Sequence, residues 1–234
     1  MFKSIRLRFF PVFFLLSLTY AGASVAAAST VSTVPAPSAV TLSVPSSDDN
    51  IFRPAYIGVL LGYGNTNWDQ MVSQDASTAT STPISAGGSG VAEGITLGYA
   101  FTRYFTLEGD YTHFPDATLE FSSYSVYRPL TETTSKTNAY GLFGKFMLPL
   151  DNGKWSPFSE IGPGYVQRND DLAQKGHFGG AFGVGIDYFM TSHWMTELSL
   201  QYYTGYGDST LKPAYDYIPF LYTVNLRIAY RFSL

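Results

Sequence analysis

The chain has 234 residues, a net charge of -4, no cysteine and only 14% charged residues, while aromatics reach 17% and glycines number 22. This excludes a disulfide scaffold, a thiolate metal site or thiol nucleophile, a basic nucleic-acid-binding face and a disordered chain. The length allows one domain or at most two.

Residues 1–28 read as a signal peptide. Lys3, Arg6 and Arg8 precede an apolar run from Phe9 to Tyr20 that is short for a membrane span. Small residues follow, Ala21-Gly22-Ala23 and then Ser24 to Ala28, so cleavage is expected between about residue 23 and residue 28. An uncleaved anchor is the alternative. Residues 29–52, rich in Ser, Thr, Pro and Ala with Pro35, Pro37 and Pro45, read as a flexible linker. No later segment has the apolar length of a transmembrane helix.

From Arg53 onward, period-two segments alternate with connections. Strands are predicted over about 54–64, 91–101, 104–114, 138–149, 156–166, 177–189, 193–203 and 221–234. In the first, Ile57, Val59, Leu61 and Tyr63 alternate with Gly58, Gly62 and Gly64. In the sixth, Phe178, Phe182, Val184, Ile186 and Tyr188 alternate with Gly179, Ala181, Gly183, Gly185 and Asp187. Pro163 in the fifth would remove a ladder hydrogen bond. The last strand alternates strictly, with Tyr222, Val224, Leu226, Ile228, Tyr230, Phe232 and Leu234 on one face. It is long for a soluble sheet and suits a tilted strand between lipid and a polar lumen. A soluble amphipathic strand is the alternative.

Four connections are predicted to be long, 65–90, 115–137, 167–176 and 204–217. Three are short, near Thr102-Arg103, Asp151-Asn152-Gly153 and Thr191-Ser192. Such alternation fits an all-β, eight-stranded antiparallel transmembrane β-barrel with up-and-down meander topology over 53–234. Long loops then face outward, and both termini and the linker lie in the periplasm. A sheet in lipid must close, because open edges leave backbone groups unpaired.

The stretches Gly179-Gly180-Ala181-Phe182-Gly183-Val184-Gly185-Ile186-Asp187-Tyr188, Glu197-Leu198-Ser199-Leu200-Gln201-Tyr202 and Ala229-Tyr230-Arg231-Phe232 resemble the eight-stranded outer-membrane barrel family. That family includes the opacity-type surface proteins and the transmembrane domain of outer membrane protein A. The ending with Tyr230, Phe232 and Leu234 resembles the terminal-strand signal read by the outer-membrane assembly machinery of Gram-negative bacteria, although Phe is the usual last residue. The resemblance implies localisation in the outer membrane, contact with its lipid and lipopolysaccharide, and an adhesin- or antigen-like role toward a host or cell-surface ligand. It defines a fold better than an activity. It does not fix oligomeric state.

Inward charges must be paired. Glu108, Lys145 and Glu160 are predicted to share one lumen layer. Glu197 with Arg227 or Arg231 should lie at similar depth across the axis, making a salt-bridged plug or a gate for a narrow pore. A surface enzyme is the third reading. Its support is thin: His113, His177 and His193 show no ligand spacing, no His-x-Ser pattern exists, and only His113 with Asp116 could form a rim pair. Gly87-Gly88-Ser89-Gly90 lacks the Lys-Ser/Thr of a phosphate loop, and no cofactor or metal is expected. Aromatic girdles are predicted, Tyr104, Phe105, Trp155, Phe189, Trp194 and Phe232 at the periplasmic end and Tyr63, Trp68, Phe114, Tyr165, Tyr202 and Phe220 at the outer end. Trp68, Tyr124 and Tyr127 in the two longest loops are the candidate recognition anchors. Shielding of the barrel mouth is the competing role for these loops.

Overall fold

The computed structural model describes residues 53–69, 71, 81–207 and 216–233. The predicted signal peptide, the linker and Leu234 lie outside the described residues. Ten strands occur among those residues: β1 (Ala55–Asn67), β2 (Ser85–Gly87), β3 (Ser89–Ala100), β4 (Phe105–His113), β5 (Ala117–Glu120), β6 (Glu132–Met147), β7 (Trp155–Asn169), β8 (Gln174–Phe189), β9 (Trp194–Tyr203) and β10 (Phe220–Phe232).

Eight of them, β1, β3, β4, β6, β7, β8, β9 and β10, pair antiparallel in chain order, and β10 returns to pair with β1. The sheet is therefore a closed up-and-down barrel with no free edge. Its stagger can be followed residue by residue. From Ala55 the ladders lead through Tyr99, Leu107, Gly144, Ile161, Phe182, Tyr202 and Tyr222 back to β1 at Asn65, ten residues further along. Such stagger tilts the strands and leaves an interior that side chains can fill.

Alternation sets the two faces as the sequence implies. Ile57, Val59, Leu61, Leu142, Val184, Leu198 and Leu226 point outward and are about half exposed. Thr96, Glu108, Lys145, Asp187, Glu197 and Arg227 point inward and are buried. The strand containing Pro163 is one of the longest. Pro163 faces outward in β7, and the β6–β7 ladder skips from Gly141↔Gly164 to Gly144↔Ile161 around it. The missing N–H is accommodated by one local gap, and pairing with β8 continues through Pro163↔Gly180.

Two predicted loops carry structure. β4 and β5 are successive parts of one arm running along β6. The register passes from His113↔Asn138 to Ala117↔Ser135, so Phe114-Pro115-Asp116 oppose only Lys136 and Thr137. This is a β-bulge, and it bends the arm. β2 pairs with β5 on the other side, offset from β3 at Gly88. A side chain at Gly88 would collide with the Thr66 hydroxyl and the Ala117 methyl, so the close approach requires glycine there. The resulting β2–β5–β6 sheet stands beyond the barrel. A further correction concerns the predicted loop 167–176. β7 and β8 extend through most of it, leaving only residues 170–173 as connection. Each short turn is a few residues, and Asp151, Asn152 and Gly153 adopt the left-handed backbone that such residue types favour.

Candidate functional site

Two regions concentrate the chemistry, a charged layer in the lower lumen and a cap at the loop end. In the charged layer, Lys145 of β6 reaches across to β8 and β9. Its Nζ lies 2.6 Å from Glu197 Oε2 and 3.0 Å from Asp187 Oδ2, and more loosely 3.8 Å from Glu108 Oε2. Arg227 of β10 answers from the other side, with Nη2 at 2.5 Å from Glu108 Oε1 and Nη1 at 3.0 Å from Glu197 Oε2. Nη2 also lies 3.5 Å from Asp110 Oδ2. The Tyr56 hydroxyl donates to Glu108, and the Thr96 hydroxyl donates to Asp110. Gln201 Nε2 donates at 2.9 Å to both Asp110 Oδ2 and Glu160 Oε1, while its Oε1 accepts from Asn225 Nδ2. Every ionic side chain here is essentially removed from solvent.

Of the six residues predicted for this layer, four meet one another. Glu108, Lys145, Glu197 and Arg227 do come together across the axis. Glu160 is the register neighbour of Lys145, yet it is held by Gln201 and forms no salt bridge among the described residues. The Lys145 amine is drawn instead to the carboxylates of β8 and β9, which face it across the barrel. Arg231 is also outside the network. It donates to the Arg53 carbonyl and stacks 4.7 Å over Phe189 near the short-turn end. Sequence reasoning missed Asp110, Asp187, Gln201 and Tyr56 as members. Asp110, Asp187 and Gln201 fall on the buried, inward phase of their strands, and their partners lie on strands far away in sequence.

Apolar residues fill the rest of the barrel. Tyr56, Met195 and Ala229, with Phe189 against them, close the short-turn end. Phe114, Phe143, Val166, Tyr203 and Leu221 form a belt above the charges. Two predicted girdle residues are therefore corrected: Phe114 and Phe189 point inward, because each falls on the lumen-facing phase of its strand end. Trp68 is corrected too, being drawn in beneath the loops. Tyr111, Tyr140, Tyr165 and Phe178 form a continuous outer row, with neighbouring rings 4.6 to 6.1 Å apart. At the other end Trp155 lies on Tyr188, and Trp194 lies on Tyr230.

The cap is a second small core. Trp68, Met71, Ala117, Leu119, Phe121 and Tyr217 are buried together, with Ala86, Tyr127, Leu130 and Leu172 against them. Arg168, at the top of β7, is wholly buried among three connections. Its Nε donates to Asp170 Oδ2 at 2.5 Å, its Nη1 donates to the Tyr217 carbonyl at 2.7 Å, and its guanidinium lies 5.0 Å over the Trp68 ring. Trp68 Nε1 donates to Thr66, and the Tyr217 hydroxyl donates to the Asn67 carbonyl. Burial holds the Tyr217 hydroxyl well above the usual phenol range.

Of the three predicted anchors, Trp68 is 2% exposed and works inside the cap. Tyr127 is half-buried, packing on Phe121 and donating to the Ser81 carbonyl. Tyr124 alone of the three is presented outward, 68% exposed beside Val126 at 67%. Two serine turns hold this tip, Tyr124 N–H to Ser122 Oγ and Tyr127 N–H to Ser125 Oγ, each 3.2 Å. The His113–Asp116 pair is not formed. His113 Nδ1 lies 2.8 Å from Asn138 Oδ1, which also accepts from the Tyr111 hydroxyl. His177 stacks on Tyr206, and His193 stacks on Tyr230.

A closed barrel with an apolar outer band, aromatic rows at both ends and a polar filled interior has its solvent preference inverted, as in lipid. Residues 13–232 match the family described as outer membrane protein beta-barrel domain. The chain belongs to that family. As an outer-membrane barrel protein it is similar to the crystal structure of OprG from Pseudomonas aeruginosa, at a TM-score of 0.50 and 12% identity, covering 78% of this chain and 98% of that one. It is also similar to Neisserial surface protein A, at a TM-score of 0.49 and 15% identity, covering 76% and 97%. At such identity the likeness to OprG speaks for the fold alone. A protein of Coxiella burnetii (strain RSA 493 / Nine Mile phase I), described only as uncharacterized, is 26% identical over 168 residues, 59% of this chain and 66% of that relative. The outer-membrane family explains the outward leucines, isoleucines and valines, whose solvent is hydrocarbon.

Proposed function

We propose that this outer-membrane barrel acts as a surface-interaction protein, adhesin- or antigen-like, through the cap formed by its long loops. The observation that carries the reading is the contrast between a filled lumen and a pre-organised exposed tip. The interior is occupied by ion pairs and aromatic layers, which leaves little room for solute passage. The tip presents Tyr124, Val126 and Arg128 from turns fixed by side-chain hydrogen bonds and backed by the Phe121–Tyr127 contact. An ordered aromatic beside an arginine loses little entropy on binding and suits a hot spot.

The test compares adherence to epithelial monolayers of bacteria displaying the wild type and a Tyr124→Ala/Val126→Ser/Arg128→Gln variant. Heat-modifiable migration checks folding of both. Adherence should fall several-fold with folding unchanged. Equal adherence of both, together with a small but reproducible ion conductance in planar bilayers, would favour the narrow-pore reading.

A further inference from the structure

Charge is distributed unevenly between the two ends of the barrel. At the loop end, Asp69, Glu93, Asp116, Glu120, Glu132 and Asp171 are all exposed. At the short-turn end, Asp151 is the one acidic residue among the described residues outside the lumen. Cations or imidazoles recur there at every junction: Arg53 before β1, Arg103 between β3 and β4, Lys154 between β6 and β7, His193 between β8 and β9, and Arg231 at the end of β10. Arg53 and Arg231 are partly engaged with one another at the mouth. Arg103 and Lys154 are exposed, and neither has a carboxylate within salt-bridge distance among the described residues.

The lipid-facing aromatics lie immediately inside this ring. Lys154 Nζ sits 5.6 Å over the Tyr188 ring, which in turn packs on Trp155 at 4.3 Å. His193 stacks at 5.6 Å on Tyr230, which packs edge-on against Trp194. Phe101, just before Arg103, packs on Tyr99 and on Phe105, which comes just after it. Amphipathic rings of this kind mark the headgroup level of a bilayer. A cation one step beyond the ring is then at the depth of lipid phosphates, where guanidinium and ammonium donors find anionic acceptors.

We infer that the short-turn rim is a binding surface for anionic phospholipid headgroups, with Arg103 and Lys154 as the principal contacts and Trp155, Tyr188, Trp194 and Tyr230 as the supporting aromatic shelf. The partner is a phosphodiester-bearing lipid of the adjacent leaflet. The acidic loop end lacks this preference. The inference rests on membership in the outer-membrane barrel family and is independent of the recognition role of the cap.

The chain carries its own reporters. Two of its three tryptophans, Trp155 and Trp194, lie on the shelf, and Trp68 is shielded inside the cap. The full protein is refolded into phosphatidylcholine vesicles containing a minor fraction of chain-brominated phosphatidylglycerol, and in parallel into vesicles with brominated phosphatidylcholine at the same fraction. Quenching should report a local phosphatidylglycerol fraction about two- to fivefold above bulk. High salt, and an Arg103→Gln/Lys154→Gln variant, should return it toward the bulk value. An Arg128→Gln/Lys136→Gln variant at the loop end should not. Equal quenching by the two brominated lipids in the wild type overturns the inference, and so does enrichment that survives both salt and the rim variant. If the rim variant fails to show heat-modifiable folding, the salt titration of the wild type decides alone.

Discussion

The lower lumen buries Lys145 and Arg227 among five carboxylates, whereas the cap buries one guanidinium, Arg168, against an indole ring and a set of apolar side chains. Both fill space at the axis of the same barrel. In the lumen every inward position is enclosed by eight strands, so a charge that loses its partner cannot reach water. In the cap the covering layer is thin loop and a bent hairpin, so a lost contact can be relieved by opening. The same chemical change should therefore damage the whole fold in one region and only the local order in the other.

The largest effect expected is that of Lys145→Ala. Asp187 has no other cation within salt-bridge distance among the described residues, and Glu197 keeps only Arg227. The barrel should lose about 3–5 kcal/mol, measured by urea unfolding in vesicles. Pairing Lys145→Met with Asp187→Asn should recover more than half of that loss, since no unpaired charge remains at Asp187. A single-variant loss below about 1 kcal/mol, the scale of an ordinary hydrogen bond, would mean the ion pairs do not couple the strands.

Arg168→Ala comes next. It removes donors to Asp170 and to the Tyr217 carbonyl and leaves the Trp68 ring uncovered. Local order should weaken by about 1–3 kcal/mol, seen as rapid proteolysis near Trp68 and Tyr217 while the urea midpoint of the barrel stays near wild type. A global loss equal to that of Lys145→Ala would erase the distinction between the two regions.

A smaller change should follow pH. Because burial raises the Tyr217 hydroxyl above its unfolded value, the cap is unaffected by this group below about pH 10. Above that, the unfolded form ionises first, so cap stability should fall as pH rises. Tyr217→Phe should flatten the alkaline part of a proteolysis-versus-pH curve. The smallest effect is that of Tyr124→Ala, within about 0.5 kcal/mol in urea, since the side chain touches little of the cap.

The eight barrel strands were legible because period-two alternation in lipid is inverted but regular, and each outward Ile, Leu or Val is matched by an inward Gly, Thr or charge. The lumen was legible by position and not by partner. Glu108, Lys145, Glu197 and Arg227 could be assigned to one depth from their distance to the turns. That Lys145 would choose Asp187 over its ladder neighbour Glu160 depends on side chains meeting across the axis. The cap was the least legible. Ala117, Leu119 and Phe121 are a short alternation inside a predicted loop, and nothing local links them to Trp68 or Tyr217.

What the sequence determined by itself is therefore the barrel, because strand periodicity and turn chemistry act between near neighbours and closure follows from the intolerance of lipid for open edges. What only the tertiary structure decided is which charge meets which, and which aromatic is presented and which is buried. Trp68 and Tyr124 look equivalent as exposed-loop aromatics in the chain. The bulge at Phe114-Pro115-Asp116 and the close approach at Gly88 fold the β2–β5–β6 sheet against Trp68 and leave Tyr124 at the tip. Those contacts join residues far apart along the chain, so no reading of local pattern contains them.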